Sequence, residues 1–332
     1  MEILGSTFDD SVFSEARDRV CASLSSYNAK LCEPEWFCES AALDTDDSLE
    51  KQKVYKFRGD LAVRQGNYQK ALEAYSSCLE WIADNNLTIR RDVLEGMARC
   101  CTKLGERARA LDLVDLLSKE ASNTCHLTSL LLLKVSIYQH FGAVRSKMSC
   151  LQQLCSLLPF NPWHWFNLGQ MCLQLLENNR TIRSCSSKRC ETAEEENGGE
   201  TEEQQEAAAE LDEDRIRLKA CTCFIRTRLL LRILRQQQSS FVLQRSESNL
   251  QTTDEALQRL NAKESTLQTL TEVMSEDLVP EKMREDYQDG ETLASLCVQS
   301  FRDRWWNKIL LTGVLETDGG QRQTKTDAES CC

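Results

Sequence analysis

Histidine and cysteine are the side chains of this sequence that could bind a metal ion or attack a substrate. The three histidines, His126, His140 and His164, lack the four-residue helical spacing of a zinc site, and none lies beside a pair of cysteines. No Cys-x-x-Cys pair occurs, and Cys221 and Cys223 are two positions apart, so they point to different sides of a helix. The sequence therefore predicts no metal site.

Motifs for nucleotide binding or for an activated nucleophile are also absent from the sequence. A cysteine and a histidine that are distant in sequence could still meet in the fold, since catalytic neighbours need not be adjacent in the chain. The chain ends in Cys331-Cys332, as some prenylated trafficking GTPases do, but the preceding tail has little positive charge to assist anchoring. We predict no catalytic residue, no cofactor and no lipid anchor.

A basic helix between residues 215 and 235 is the first candidate for a binding surface. Arg228, Arg232 and Arg235 recur on one face of this helix, which would suit a nucleic acid. The alternative is that they form a solvated face, screened by the nearby acidic residues. The basic residues of the helix are Arg215, Arg217, Lys219, Arg226, Arg228, Arg232 and Arg235.

The composition favours an all-α protein without a general basic surface. Thirteen glycines and four prolines in 332 residues leave little room for the turns of an all-β fold, whereas Leu, Gln, Glu, Arg, Ala and Lys are abundant helix formers. The acidic residues between Glu191 and Asp214 account for the whole net charge of −12. This distribution argues against a nucleic-acid-binding protein that relies on overall positive charge.

The cysteines are typical of a reduced intracellular protein. Their number, seventeen, is odd, and Cys78, Cys101, Cys172 and Cys221 occupy apolar helical positions, where a thiol behaves as a small hydrophobic group. The first residues lack a basic segment followed by an apolar run, and no apolar run is long enough to cross a bilayer. We predict a soluble protein of the cytoplasm, the nucleus or both.

Small and large residues recur at matching positions from about residue 50 onward. Gly66 and Ala71 are matched thirty-nine residues later by Gly105 and Ala110. Gly142 continues the series of glycines that we expect to end helices in a left-handed conformation. Other small residues should mark close helix contacts, with aromatic and leucine side chains filling the space around them. The small residues are Gly59, Gly169, Ala71 and Ala110, and the large residues are Tyr68, Tyr75, Trp165 and Leu168.

The spacings resemble the tetratricopeptide repeat, W-x2-L-G-x2-Y, then A-x3-F, then P, over residues 50–175. This resemblance implies antiparallel helix pairs stacked into a solenoid, whose first helices line a concave groove for an extended peptide or a helix. Some relatives clamp a C-terminal carboxylate, but Asp60, Gly96 and Leu133 depart from that clamp. The groove positions that could capture an acidic partner hold Lys53, Lys56, Arg64, Arg99 and Lys103. The alternative is that these five cations only solvate the helices and pair with neighbouring acids.

The predicted fold is an all-α, tetratricopeptide-like α-solenoid of about four helical hairpins. Its parts are an N-terminal arm (1–50), the repeats (51–176), an acidic disordered insertion (177–206), helices that complete and cap the solenoid (207–312) and a disordered tail (313–332). We expect Arg215–Leu234 to complete the fourth hairpin across the insertion, Thr253–Met274 to form one helix, and a last helix to lie near Thr292–Leu311. The insertion could also occupy the basic groove.

Four stretches go beyond the generic repeat. They are Ala29-Lys-Leu-Cys-Glu-Pro-Glu-Trp-Phe37, Phe57-Arg-Gly-Asp-Leu-Ala62, Leu158-Pro-Phe-Asn-Pro-Trp163, and Leu218-Lys-Ala with Cys223-Phe-Ile-Arg-Thr-Arg. Together with the run from Arg232 to Phe241, they resemble the vertebrate family known as "chromosome 8 open reading frame 76". The resemblance implies a tetratricopeptide-like helical core and supplies no catalytic residues.

The functional prediction is a non-catalytic adaptor or scaffold whose groove holds a peptide or helix of a protein partner, which could be acidic. A small-molecule substrate and a membrane are not expected. The alternative is a nucleic-acid-associated regulatory protein that uses the basic helix 215–235.

Overall fold

The computed structural model of the chain describes residues 35–186, 202–235, 240–279 and 297–312. Within these ranges the protein consists of helices joined by short turns and contains no strand. The α-helices are α1 (Ser48–Arg64), α2 (Tyr68–Trp81), α3 (Leu87–Lys103), α4 (Arg107–Glu120), α5 (Thr124–His140), α6 (Val144–Leu157), α7 (Pro162–Ser186), α8 (Glu202–Arg235), α9 (Ser240–Leu260) and α10 (Glu264–Ser275). A C-terminal segment follows, with two short helices, Val298–Phe301 and Asn307–Leu310, on either side of a π-helical turn, Arg302–Trp306.

The helices pair in the order of the sequence. Helix α1 packs against α2, α3 against α4, α5 against α6 and α7 against α8, and successive hairpins also contact each other. Helices α9 and α10 both pack on α8, and the beginning of the C-terminal segment contacts α6. The predicted all-α class with stacked helical hairpins is confirmed.

Glycine ends the first helix of each of the first three hairpins, as the sequence predicts. Gly66, Gly105 and Gly142 have φ values of 76°, 81° and 65°, in the left-handed region where a Cβ atom is strained. After α1, the Gly66 and Asn67 amides donate to the Val63 and Ala62 carbonyls at 3.0 Å and 2.9 Å. This is a Schellman motif, which satisfies the last carbonyls of the helix and reverses the chain.

The first close helix contact is built around the ring of Tyr75. A Cβ atom placed on Gly59 of α1 would lie 2.4 Å from Tyr75 Cε1, and one placed on Gly96 of α3 would lie 3.0 Å from Tyr75 Cε2. The ring therefore lies between two glycines of neighbouring hairpins. The Tyr75 hydroxyl donates to Asp60 Oδ1 at 2.7 Å, which fixes the ring in this position.

We expect Gly59→Ala to destabilise the first hairpin by about 1–3 kcal/mol, because the buried ring cannot move out of the way of the new methyl group. Gly96→Ala is the matched control, since its methyl group would approach the same ring less closely, and it should have a smaller effect. The measurement is urea denaturation followed by circular dichroism. Equal effects of the two substitutions would contradict this account of the contact.

The sequence interpretation of Trp165 needs a correction. Gly169 faces Phe224 of α8, since a Cβ atom there would lie 2.9 Å from Phe224 Cζ. The Trp165 indole instead donates to the Pro159 carbonyl at 2.9 Å and packs against Trp305, with ring centroids 5.1 Å apart. Long helical side chains lean towards the N-terminus of their helix, so Trp165 covers the preceding turn and not the glycine that follows it.

Thr253–Met274 is two helices and not one, contrary to the prediction. Helix α9 ends at Leu260, and Asn261 then adopts a left-handed φ of 48°, a conformation that Asn tolerates better than most residues. Thr253 does not begin a helix either, because its hydroxyl donates to the Asn249 carbonyl at 2.7 Å inside α9. The prediction merges the two helices because α9 and α10 carry similar leucine spacings, and it misplaces the start because Thr253-Asp-Glu resembles a helix N-terminus.

The predicted insertion, 177–206, is longer than the gap between α7 and α8. Helix α7 continues beyond Leu176 to Ser186, and α8 already begins at Glu202. Glutamate, glutamine and alanine are good helix formers, which favours the early start of α8 in the acidic sequence. Residues 187–201 of the insertion, and the tail from 313 with Cys331-Cys332, lie outside the described residues.

Part of the N-terminal arm lies on α1. Arg58 donates to the Phe37 carbonyl at 2.6 Å and to the Glu39 carbonyl at 2.8 Å. The Trp36 and Phe37 rings contact Phe57, at centroid distances of 6.4 Å and 5.5 Å. Residues 1–34 of the predicted arm lie outside the described residues.

Candidate functional site

Helices α1, α3 and α5 lie side by side, each packed against the second helix of its own hairpin. Two cavities that share Leu133 open along this face, and together they form what we name the α3–α5 groove. The first cavity, about 390 Å³, lies towards the C-terminal ends of α3 and α5, with Val63 and Tyr68 on its far side. The second, about 200 Å³, lies towards their N-terminal ends.

The first cavity carries cationic groups and no carboxylate. Arg99 and Lys103 supply the positive charge, and the side chains of His140, Thr102, Ser136 and Gln139 add polar groups. The second cavity has a mixed lining with Arg91, Asp92, Glu95 and His126. The groove is thus electrostatically uneven along its length, with its acidic side chains confined to one end.

Two of the five cations predicted from the sequence to line a groove lie together in the first cavity. Arg99 and Lys103 lie one turn apart on α3 and line the first cavity. Lys53, Lys56 and Arg64 of α1 do not line either cavity of the groove. The structure thus divides the predicted set into a cluster on α3 and three separate side chains on α1.

Neighbouring acids hold three of these cations in local ion pairs. Lys53 pairs with Glu50 at 2.7 Å, and the hydrogen bond that its ammonium group donates to this carboxylate raises the pKa of Lys53. Lys56 pairs with Asp60 at 2.9 Å, and Arg99 with Glu95 at 2.6 Å. An exposed pair such as Arg99–Glu95 contributes only about 0.3–0.5 kcal/mol, so an incoming carboxylate can displace it. Lys103 makes no ion pair with any residue that the structure describes.

One further cation near the groove was not recognised as a site residue in the sequence. Lys147 of α6 occupies the position that holds Ala71 in the first hairpin and Ala110 in the second. It is buried, with 8% of its surface exposed. Its ammonium group donates to Gln139 Oε1, and Gln139 lines the first cavity. Burial lowers the pKa of Lys147. The departure from alanine at a repeat position was the signal in the sequence.

The basic helix 215–235 is mostly engaged within the fold. Arg226 is fully buried, and its guanidinium pairs with Asp277 and donates to the Met274 carbonyl at 2.5 Å. Arg228 and Arg235 face α9, where they pair with Asp254 at 3.7 Å and Glu247 at 3.3 Å. The predicted basic stripe is therefore largely a helix–helix contact, because its acidic partners come from α9 and from residues just after α10.

The buried cysteines are poor nucleophiles. Cys78, Cys101, Cys172 and Cys221 are all buried, as their apolar positions predict. Burial raises the pKa of Cys78, Cys100 and Cys150 to about 11, which leaves little thiolate at neutral pH. Among the described residues, no group of histidine, cysteine and carboxylate side chains is arranged to hold a metal ion. None of the helices described is long and apolar enough to cross a membrane.

His164 gives the fold a pH dependence that can be measured. Burial lowers its pKa from 6.5 to about 4, so the unfolded chain binds this proton more readily than the folded one. Stability contributed by neutral His164 is present above about pH 6.5 and is lost as the pH falls towards about 4. We expect the free energy of unfolding, obtained from denaturation curves, to fall by roughly 1 kcal/mol between pH 7.5 and pH 5.5 in the wild type. This loss should be absent in His164→Gln. The same pH dependence of stability in the wild type and in His164→Gln would contradict this prediction.

Comparison with known proteins identifies the family. The sequence matches the family described as "Family of unknown function (DUF5588)" over residues 2–197 and 175–311. It is 35% identical to the human "Uncharacterized protein C8orf76" over 92% of this chain and 93% of the human protein. The chain belongs to this family. The rat homologue of C8orf76 is 34% identical over the same shares of the two chains.

Membership in this family confirms the resemblance carried by the four sequence stretches. Several of those stretches hold interactions seen in the structure. Phe57 and Arg58 contact the N-terminal arm. The Pro159 carbonyl accepts a hydrogen bond from the Trp165 indole, and Arg226 forms the buried ion pair with Asp277. The family description names no activity, so the function has to be argued from the groove.

Proposed function

We propose that the protein is a non-catalytic adaptor that holds a peptide or helix of a partner protein in the α3–α5 groove. The observation that supports this most directly is the pair of adjoining cavities with a shared apolar floor. Leu133 lies at the floor of both cavities, with Ile137 beside it in the first and Leu130 in the second, and polar and charged side chains surround these α5 residues. An apolar centre with a polar rim is the common arrangement of a protein-binding surface.

The dimensions of the groove fit a segment of another chain. Along α3 it extends from Thr88 to Lys103, which corresponds to about 22 Å at 1.5 Å per helical residue. An extended peptide of about seven residues, or a helix of four turns, covers that length. A tetratricopeptide-like arrangement of helices presents such a groove on rigid elements, so that little ordering of the adaptor itself opposes binding.

A catalytic role has less support from the described residues. No serine, threonine or cysteine of the described groove lining is hydrogen-bonded to a histidine that could act as its base, and burial raises the pKa of Cys100. We propose that the protein works without a cofactor or small-molecule substrate. A cytoplasmic or nuclear location is part of the same proposal, because it keeps these thiols reduced.

The proposal that the protein is associated with nucleic acid is the weaker alternative. It would need the basic helix to be available, whereas Arg226, Arg228 and Arg235 are engaged with acids of α9 and the segment after α10. A salt-dependent titration with generic single- and double-stranded nucleic acid distinguishes the two proposals. Binding that weakens steeply with salt, and that Arg215→Glu with Arg232→Glu abolishes, would favour the alternative.

Comparative affinity purification from a cell lysate tests the adaptor proposal. The groove variant is Arg99→Glu with Lys103→Glu, and the matched control is Arg109→Glu with Lys119→Glu, which changes the same charge on exposed positions of α4. We expect a defined set of proteins to be retained by the wild type and the control but lost from the groove variant. Those proteins should then bind the purified chain directly. Identical sets from all three proteins would contradict the proposal.

A further inference from the structure

We infer that the first cavity of the α3–α5 groove is an anion-binding subsite, which receives the carboxylate side chains of an acidic segment in the partner protein. This inference rests on the proposed function and specifies the chemistry of the partner. Arg99 and Lys103 of α3 and His140 of α5 line the cavity from two helices, and no carboxylate lines it. A ligand that enters between α3 and α5 therefore meets donors on both sides.

The buried Lys147 is the second observation, independent of the surface charges. An ammonium group has three donor hydrogens, and the described structure gives Lys147 one acceptor, Gln139 Oε1, and no carboxylate. A buried charge without a counter-ion is unfavourable, and its partner here is a neutral amide on the wall of the cavity. An anion in the first cavity would supply the missing negative charge one hydrogen bond away.

Charge along the groove determines the orientation of the occupant. Asp92 and Glu95 lie in the second cavity and would repel a carboxylate there, whereas the first cavity would attract one. The acidic residues of the partner segment should therefore be concentrated at the end that lies over Lys103. An apolar or basic side chain suits the other end, near Asp92.

The surface pair of Arg99 and Glu95 does not oppose this assignment. Both residues are exposed, and the pair joins positions one turn apart on the same helix. A carboxylate in the first cavity can take over the guanidinium while Glu95 remains hydrated. Lys103 and His140 need no such exchange, since no described carboxylate pairs with either of them.

The test is fluorescence anisotropy with the full chain and a fluorescein-labelled heptaglutamate peptide, which can place some of its carboxylates in the first cavity while the others stay in solvent, away from Asp92 and Glu95. Heptaglutamine with the same label is the control peptide. We expect saturable binding of heptaglutamate that weakens with added salt, and no measurable binding of heptaglutamine. Inorganic phosphate at the same total charge should displace heptaglutamate only weakly, because the peptide contacts the groove at several points.

Variants then locate the binding. Lys103→Glu should weaken heptaglutamate binding about tenfold, whereas Lys119→Glu, on α4, should change it less than about twofold. Lys147→Met removes the buried ammonium and leaves the surface unchanged. It should weaken binding by about threefold or more while leaving the chain folded, because methionine suits a buried position.

Equal effects of Lys103→Glu and Lys119→Glu would overturn the inference, as would unchanged binding by Lys147→Met. Failure of the inference is distinguishable from failure of the proposed function. If the groove variant loses partners from the lysate but the purified chain does not bind heptaglutamate, the adaptor role stands and the acidic partner segment is refuted. If no partner depends on the groove, the adaptor role itself fails.

Discussion

Arg226→Met is expected to lower the free energy of unfolding by about 3–5 kcal/mol, one of the two largest single-residue effects that the structure predicts. Arg226 is fully buried, and the ion-pair and hydrogen-bond network around its guanidinium joins four parts of the chain. From α8 it pairs with Asp277 and donates hydrogen bonds to the Met274 carbonyl at the end of α10 and, at 3.4 Å, to the Pro159 carbonyl. Asp277 in turn pairs with Arg304 of the C-terminal segment at 3.3 Å.

The cost arises from what the substitution leaves behind. Methionine fills much of the space but donates no hydrogen bond, so Asp277 keeps only its longer contact with Arg304 and the Met274 carbonyl loses its guanidinium donor. Unpaired buried polar groups cost more than a paired network contributes. The double variant Arg226→Met, Asp277→Leu should therefore recover part of the loss.

Arg232→Met is the matched control, since Arg232 lies on the same helix and is exposed. It should change stability by no more than about 0.5 kcal/mol. The measurement is guanidinium chloride denaturation of the three variants and the wild type. A loss in Arg226→Met no greater than in Arg232→Met would show that the buried ion pair is not important for stability.

The sequence predicted the stacking of the hairpins because small residues constrain helix contacts in a periodic way. Gly66, Gly105 and Gly142 end helices with a positive φ, and Gly59 lies against a large ring. These features depend on residues close in sequence. Where the partners of a side chain are distant in sequence, as for Trp165 and the C-terminal aromatic rings, the repeat pattern predicted burial but not the contact.

The candidate site was predictable to a smaller degree. The repeat register placed Arg99 and Lys103 on one face of α3, but it gave the α1 cations equal weight. It could not show that Lys56 and Asp60 pair at 2.9 Å, nor that the Asp60 carboxylate also accepts the Tyr75 hydroxyl. The helix periodicity of residues 215–235 likewise predicted a basic face, but the acids that meet it lie on α9 and beyond α10.

Trp165→Ala should have an effect comparable to that of Arg226→Met, about 3–5 kcal/mol. The indole is fully buried, packs against Phe301 and Trp305 at centroid distances of 5.6 Å and 5.1 Å, and donates to the Pro159 carbonyl. Truncation removes these contacts and opens a cavity between α7 and the C-terminal segment. Trp163→Ala is the control, because Trp163 is half-buried and its ring contacts Arg245 at 5.2 Å.

Hydrogen exchange should show where this loss of stability acts. The apolar side chains form two clusters, one containing Tyr75, Leu94 and Val114 and the other containing Trp165, Phe224 and Phe301. In stacked hairpins each unit is stabilised mainly by its neighbours, so a cavity in the second cluster should loosen α7, α8 and the C-terminal segment first. We expect faster exchange there in Trp165→Ala, with α1–α4 protected nearly as in the wild type. A uniform increase over all the helices would mean that the two clusters unfold together as one cooperative unit.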